Sequence, residues 1–358
     1  MSNHIEDIDI AKGIGICCIV MHHSGVPNYF IHPFEVALFF FIAGYFFKLD
    51  TVNSLSTLKK YIGKRIEKLY IPFTVYNVIF IILNNAFLKI GFYTTDERFL
   101  SDRFVNNYLG LDDYLTISKV GKQIVKVLCL ADTAKIGGVS WFIRALIVIE
   151  LGYAVITFFL KRWTSNRIIR LHVILSSIML IAMLLADWLK IIMIPAVILD
   201  LCSYYIIYSI GVLFGERGNV ICFEYKHFII SMMIIVVNGI VRMFIDTGID
   251  KITCILSAFP AFYLCCYIAN LLIKKNDFAR NFFIRIAALS MPILFLQLIG
   301  YKISAMIQVA IYHLPRYDVA SFPSLTVASL WIPVNMFFGI AIPAIVARVY
   351  SLGIRKIG

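Results

Sequence analysis

Charge is what this 358-residue chain has least of: Asp, Glu, Lys and Arg make up 15% of it, against about 25% in a typical soluble domain. Its hydrophobic share is 61%, and a soluble domain has roughly 45–50%. The mean hydropathy is +0.86. These figures exclude a soluble globular enzyme and a disordered chain alike. The eight cysteines form no CxxC pair and lie mostly in apolar segments, which argues against a disulfide framework and against a metal site. The start carries Glu6, Asp7 and Asp9, the wrong flank for a cleavable signal peptide. No internal repeat and no low-complexity linker is visible. What the chain has in quantity is aromatic surface, with 29 Phe and 19 Tyr. That mixture suits lipid-facing Phe and interfacial Tyr.

The expected architecture is therefore all-α and polytopic. Each membrane crossing needs roughly 20 residues, and ten apolar stretches of that order can be marked: 9–27, 33–49, 68–90, 139–160, 168–187, 189–215, 227–245, 252–273, 286–312 and 325–350. The sixth is long and contains Pro195 and Asp200, so a break or strong tilt is expected there. A net charge of +12 would suggest nucleic acid in a soluble protein. In a membrane protein the Lys/Arg excess belongs on cytoplasmic loops. With the N-terminus inside, 19 basic residues fall on the inner side and 11 on the outer, so both termini are expected in the cytoplasm. One domain, 1–358, is expected, with a long outer segment at 89–138 between spans 3 and 4.

Charges inside spans are costly and are functional candidates by default. They are Lys12, Glu35, Arg144, Glu150, Asp200 and Lys302. Snorkelling or a structural ion pair is the competing explanation for Lys12, Glu150, Asp200 and Lys302. In the first span Lys12 and His23 are eleven residues apart, about three helical turns, so they share a face and are separated by roughly 16 Å along the axis. Lys12 lies near the inner end and His23 near the outer. A buried neutral imidazole can take a proton from a hydroxyl or hold an acyl group transiently. His22 points about 100° away, the turn per residue of a 3.6-residue helix. Glu35 opens the second span close to the depth of His23, where a carboxylate could orient the imidazole. Arg144 enters the fourth span from outside and could stabilise a developing oxyanion. Lys59, Lys60, Lys64, Arg65 and Lys68 crowd the stretch before Pro72. They suit anionic headgroups or a cytoplasmic polyanion such as a cofactor phosphate, where Arg offers a bidentate fork.

The ordered set Asp9-x-x-Lys12-(x10)-His23-Ser24, Phe39-Phe40-Phe41-Ile42-Ala43-Gly44-Tyr45, Lys64-Arg65-x-x-Lys68-Leu69-x-x-Pro72-Phe73 and Trp141-Phe142 resembles the acyltransferase 3 family, in its short branch of fucose O-acetylase-like proteins. The resemblance covers nearly the whole chain. It implies a ten-helix bundle in a bacterial inner membrane and a donor, acetyl-CoA, arriving from the cytoplasm. The implied acceptor is a carbohydrate hydroxyl on the outer face, and neither metal nor nucleic acid is implied. The family's cation and histidine map onto Lys12 and His23. Its basic pair before the third span maps onto Lys64 and Arg65, followed by Lys68, as donor-binding residues. The expected catalytic set is His23 together with Glu35 and Arg144, the last two taken from the reading of the spans and not from the resemblance.

Three positions depart from the pattern. Ala43 stands where many relatives have Ser. Glu35-Val36-Ala37 replaces a frequent His-x-Pro. Gln297, seven after Ser290, stands in place of a late His, and an amide can hydrogen-bond but cannot shuttle a proton. The rival readings are a transporter or exporter of a glycan or lipid-linked sugar, which predicts repeats and broken midplane helices, and a membrane scaffold, which leaves the intramembrane charges unexplained.

Overall fold

The computed structural model describes residues 2–26, 29–96, 112–161, 168–191, 193–216, 223–244, 249–321 and 325–355. Glu97 and Asp102 of the outer segment lie outside them. The described residues are mostly helical: α1 Ser2–His23, α2 His32–Tyr45, α3 Leu55–Arg65, α4 Ile71–Ile82, α5 Asn84–Ile90, α6 Ile117–Leu128, α7 Trp141–Leu160, α8 Ile168–Trp188, α9 Ala196–Glu216, α10 Tyr225–Phe244, α11 Ile249–Lys275, α12 Asp277–Ala288, α13 Ser290–Tyr312 and α14 Ala328–Arg355. Among the described residues seven helices are long and apolar enough to cross a membrane, or eight if the bent run through α3, α4 and α5 is one span. The protein is a polytopic membrane protein. α2, at 14 residues, is about 21 Å long, short of a roughly 30 Å hydrocarbon core.

Three expected boundaries are corrected. The basic stretch before Pro72 is not a loop. Ser54 caps α3 with a capping box, Leu58 and Tyr61 turn inward, and Lys59, Lys60 and Lys64 turn outward. A π-helical turn at Ile66–Tyr70 carries the chain into α4, and the run bends by 54° before α5. The sixth span starts at Ala196 rather than 189. Pro195 stands just ahead of it, where a missing N–H costs least, so α9 is unbroken. The ninth span starts at Ser290, because Leu289 separates it from the amphipathic α12.

The residues group into two compact units with interleaved chain segments. The first comprises Met1–Gly15, Asn28–Lys68 and Ala145–Ala287. Its tightest pairing is α2 on α9. A Cβ on Gly44 would lie 2.1 Å from the Tyr208 carbonyl oxygen, one on Gly211 2.2 Å from that of Phe41, and one on Gly215 2.1 Å from that of Tyr45. Gly211-x-x-x-Gly215 and Gly44 therefore let the two backbones meet, as small residues do between membrane helices. Asn238 on α10 donates to the Ser257 hydroxyl on α11 at 2.8 Å, and Glu6 pairs with Arg280 at 3.2 Å.

The second unit comprises Ile16–Pro27, Leu69–Arg144 and Ala288–Gly358. Here α13 packs on α14, with Gly300 facing the Phe338 carbonyl. Lys302 is buried, and its ammonium donates to the carbonyls of Val319, Ala320 and Ser321 at 3.1, 2.6 and 3.0 Å. All three of its N–H groups are thereby satisfied. The structural explanation holds for this residue: it closes the 3-10 turn Arg316–Ala320.

Candidate active site

The imidazole end lies in the second unit. α1 is helical through His23. The rings of His22 and His23 stack, with centroids 4.9 Å apart and planes 14° apart, and both residues are half-buried. Neighbouring helices bind the carbonyls of this helix end in addition to its own backbone. Tyr301 on α13 donates its hydroxyl to the Val20 carbonyl at 2.8 Å. Asn335 on α14 donates to the Ser24 carbonyl at 3.3 Å, and the Ser24 hydroxyl donates to the Met21 carbonyl at 2.7 Å. The turn that presents His23 is thus held from two sides. Gln297 is fully buried beside it, and its Oε1 accepts from Tyr301 at 3.3 Å. Its Nε2 has no hydrogen-bond partner among the described residues, a buried donor that calls for a ligand or a water.

Arg144 also belongs to this unit. It is half-buried, and its Nη1 donates to the Ala131 carbonyl at 2.8 Å. The entry to α7 is pinned by Asn77. The Asn77 amide donates to the Phe73 carbonyl at 2.8 Å and to the Ser140 hydroxyl at 3.2 Å, while its Oδ1 accepts from the Ala134 N–H at 2.8 Å.

Lys12, Lys64, Arg65, Lys68 and Glu35 lie in the first unit. Glu35 is 3% exposed in the first turn of α2, where the helix dipole favours a carboxylate. Lys12 pairs with Asp9 at 3.0 Å and lies 5.0 Å from the centre of the Phe46 ring. Lys64 and Lys68 are exposed. Arg65 is held differently. Its Nε lies 3.1 Å from Oε2 of Glu150, a carboxylate only 1% exposed, and its guanidinium lies over the Tyr61 ring, 5.0 Å from the centre. Glu150 thus has a partner that its own helix does not provide.

A second contact gives this pair its depth. Lys161, just past the end of α7, donates to the Leu49 carbonyl at 3.3 Å and to Asn53. Glu150 stands eleven residues before Lys161, and Arg65 twelve after Asn53, each about 16–18 Å of helix. α3 therefore runs alongside the membrane span α7 rather than over its end. Its exposed face carries Lys59, Lys60 and Lys64, and Lys68 follows on the π-helical turn.

The sequence reading missed several partners. Tyr61 and the buried Tyr153 both meet the Phe47 ring edge-on, at 5.5 and 5.2 Å, filling the space between α3 and α7. His172 bonds Tyr205 at 2.6 Å and Thr157 at 3.1 Å. Because the Thr157 hydroxyl is spent on the Tyr153 carbonyl at 2.6 Å, His172 donates through Nε2 and accepts from Tyr205 at Nδ1. Asp200 pairs with Lys251, which also meets Asp250 at 2.7 Å, so the ion-pair explanation holds for Asp200 too. Arg242 lies 3.0 Å from His32 Nδ1. The pairs His172–Tyr205, Asp200–Lys251 and Arg242–His32 join residues too far apart for a spacing along the chain to show them.

No curated protein and no solved structure matches the chain. A family model described as an acyltransferase domain, that of the acyltransferase 3 family, matches residues 5–348. With nearly the whole length matched, the chain belongs to this family of membrane acyltransferases.

Proposed function

We propose that the protein moves an acetyl group from cytoplasmic acetyl-CoA to a hydroxyl of a cell-surface or lipid-linked carbohydrate. In this reading it sits in a bacterial inner membrane with both termini in the cytoplasm, and α1 and α2 join the longer helices to make ten crossings. The observation that carries the reading is α1, one uninterrupted helix that bears Lys12 in its first half and His23 at its end.

His23 takes the proton of the acceptor hydroxyl as that oxygen attacks the thioester carbonyl. The C–O bond forms, the C–S bond breaks, and the proton passes to the leaving thiolate. If His23 instead carries the acyl group between two half-reactions, the kinetics become ping-pong. The free amide N–H of Gln297 suits a carbonyl oxygen that gains negative charge during transfer. Arg144 has donors left after its bond to Ala131 and assists at the same end. The donor's phosphates meet Lys64, Lys68 and Arg65, with Lys12 further along the path. Arg65 fits this role best, because Glu150 and Tyr61 orient its guanidinium while 25% of the side chain stays exposed, and a guanidinium can meet an anion with two parallel donors.

The test is mass spectrometry of envelope glycans from cells with the protein, without it, and with His23→Ala. Acetyl groups present only with the intact chain support the reading. Acetylation at wild-type level with His23→Ala overturns the assignment of His23.

A further inference from the structure

A polar cavity of about 490 Å³ lies in the second unit, between the segment after α5, the start of the segment before α6, and the turn after α13. Its walls include Tyr93, Thr94, Asp96, Tyr114, Arg316 and Tyr317. The volume falls within the roughly 300–1,000 Å³ of small-molecule sites. The loop-charge topology puts all three segments on the outer face.

The cavity is built rather than left over between loops. The Asp112 N–H donates to the Thr94 carbonyl at 3.0 Å. Asn85 holds Leu115 by two bonds, donating to its carbonyl at 2.9 Å and accepting from its N–H at 2.8 Å. Lys135 pairs with Asp112 at 3.1 Å, and Arg316 reaches across to the Lys89 carbonyl at 2.9 Å. The three walls are thus tied to one another by named bonds.

Tyr93 supplies the second observation. It is 1% exposed, and its hydroxyl oxygen accepts from the Ile136 N–H at 2.9 Å. Its own proton has no acceptor among the described residues. Burial holds this phenol well above its ordinary value, so it stays a neutral donor. The cavity therefore offers a planar guanidinium, a carboxylate, a threonine hydroxyl and the Tyr114 and Tyr317 rings, with Tyr93 in its wall. Hydroxyl-rich rings with alternating polar edges and apolar C–H faces need that combination: aromatic faces for the C–H patches, and charged and neutral groups for the hydroxyls. A free phosphate would be met by one cation and opposed by Asp96.

We propose that this cavity is the subsite that holds the carbohydrate acceptor. The proposal rests on the acyl-transfer reading and deepens it. The link to chemistry runs through Ile136, the second residue of the 3-10 turn Lys135–Ser140 that leads directly into α7 and Arg144.

The experiment measures binding of a panel of methyl glycosides of hexoses and deoxyhexoses to the full-length protein in nanodiscs, by saturation-transfer NMR, and in parallel the KM values for acceptor and donor. Tyr93→Phe removes the unspent proton and keeps the ring, and Tyr317→Ala removes a platform. Each is expected to weaken glycoside binding and raise the acceptor KM roughly five- to tenfold, the effect of one lost hydrogen bond or stacking contact, with the donor KM unchanged. Binding at wild-type strength in both variants, or binding of no glycoside to the wild-type chain, overturns the proposal. His23→Ala separates the two ideas. Glycoside binding that persists while transfer is lost upholds both. Transfer that persists overturns the role of His23 and leaves the cavity to be judged by Tyr93→Phe alone.

Discussion

Removal of the Glu150 carboxylate should damage donor binding through Arg65 without touching the chemistry at His23. The charges of Arg65 and Glu150 approach to 3.1 Å. At about 4 Å between charge centres and an effective dielectric constant of about 20, their attraction is about 4 kcal/mol. Most of that offsets the cost of taking a carboxylate out of water. Breaking a fully buried pair costs about 3–5 kcal/mol. Arg65 keeps 25% of its side chain exposed and can recruit water, so about 2–3 kcal/mol is the appropriate range for Glu150→Ala. Some of this appears as lost stability. The remainder frees the guanidinium from its orientation over Tyr61, and a loosened fork should raise the donor KM about tenfold, one charge-assisted hydrogen bond's worth. Glu150→Gln keeps the volume and loses the charge, so a smaller rise is expected. The assay is acetyl transfer in inside-out membrane vesicles with acetyl-CoA titrated, run as a double-mutant cycle with Arg65→Ala. If Glu150 acts through Arg65, the double variant should be no worse than Arg65→Ala alone. Additive losses, or a fall in kcat at unchanged donor KM, would refute the reasoning.

Other substitutions separate the remaining roles. His23→Ala should lower transfer by about two to four orders of magnitude, as loss of a general base does, while thermal unfolding of the purified protein stays unchanged. Arg65→Lys keeps the charge and loses the fork, and should raise the donor KM nearly as much as Arg65→Ala in the same vesicle assay. Gly211→Ala brings a methyl to 2.2 Å from the Phe41 carbonyl oxygen, and should destabilise by about 1–3 kcal/mol through forced separation of α2 and α9. Gly63→Ala, where a Cβ meets nothing within 4 Å, should instead stabilise α3 by about 0.5–1 kcal/mol. Unfolding in graded denaturing detergent checks both glycine variants.

The parts of the fold that follow from period and composition were legible in the chain. The apolar stretches become helices, and Lys12 and His23 do lie on one uninterrupted helix, because that inference needs only 3.6 residues per turn. What was not legible depends on contacts between distant segments. The lysine-rich stretch before Pro72 looks like a loop when its charge is read alone. It is helical because Leu58 and Tyr61 find apolar neighbours and the lysines find an open face, a tertiary fact that overrides a surface-loop reading. Gly211 and Gly215 were invisible as an interface within a segment of uniform apolarity. They matter only because α2 brings Gly44 and the carbonyls of Phe41 and Tyr45 against them. The cavity around Tyr93 joins residues more than 200 positions apart, and no spacing rule reaches that far.

The buried charges show where sequence reading stops and why structure sorts them. Lys302, Asp200 and Glu150 are equal candidates along the chain, each an ionisable group inside an apolar stretch. The distinguishing quantity is how much hydrogen-bonding capacity remains once protein partners are counted. Lys302 has three N–H donors and spends them on three carbonyls, so nothing is left for a substrate. Asp200 is neutralised by Lys251 near the start of α9. Glu150 pairs with Arg65 through Nε, and Arg65, which has five donors, keeps 25% of its side chain exposed. Lys302→Met and Arg65→Ala should therefore part company in a single experiment. The first strands three buried carbonyls and should cost about 2–4 kcal/mol of stability, with KM values unchanged in whatever protein remains folded. The second should leave most of the stability and lose donor affinity. If Lys302→Met raised the donor KM while unfolding at the wild-type temperature, counting spent donors would be the wrong way to tell a structural charge from a working one.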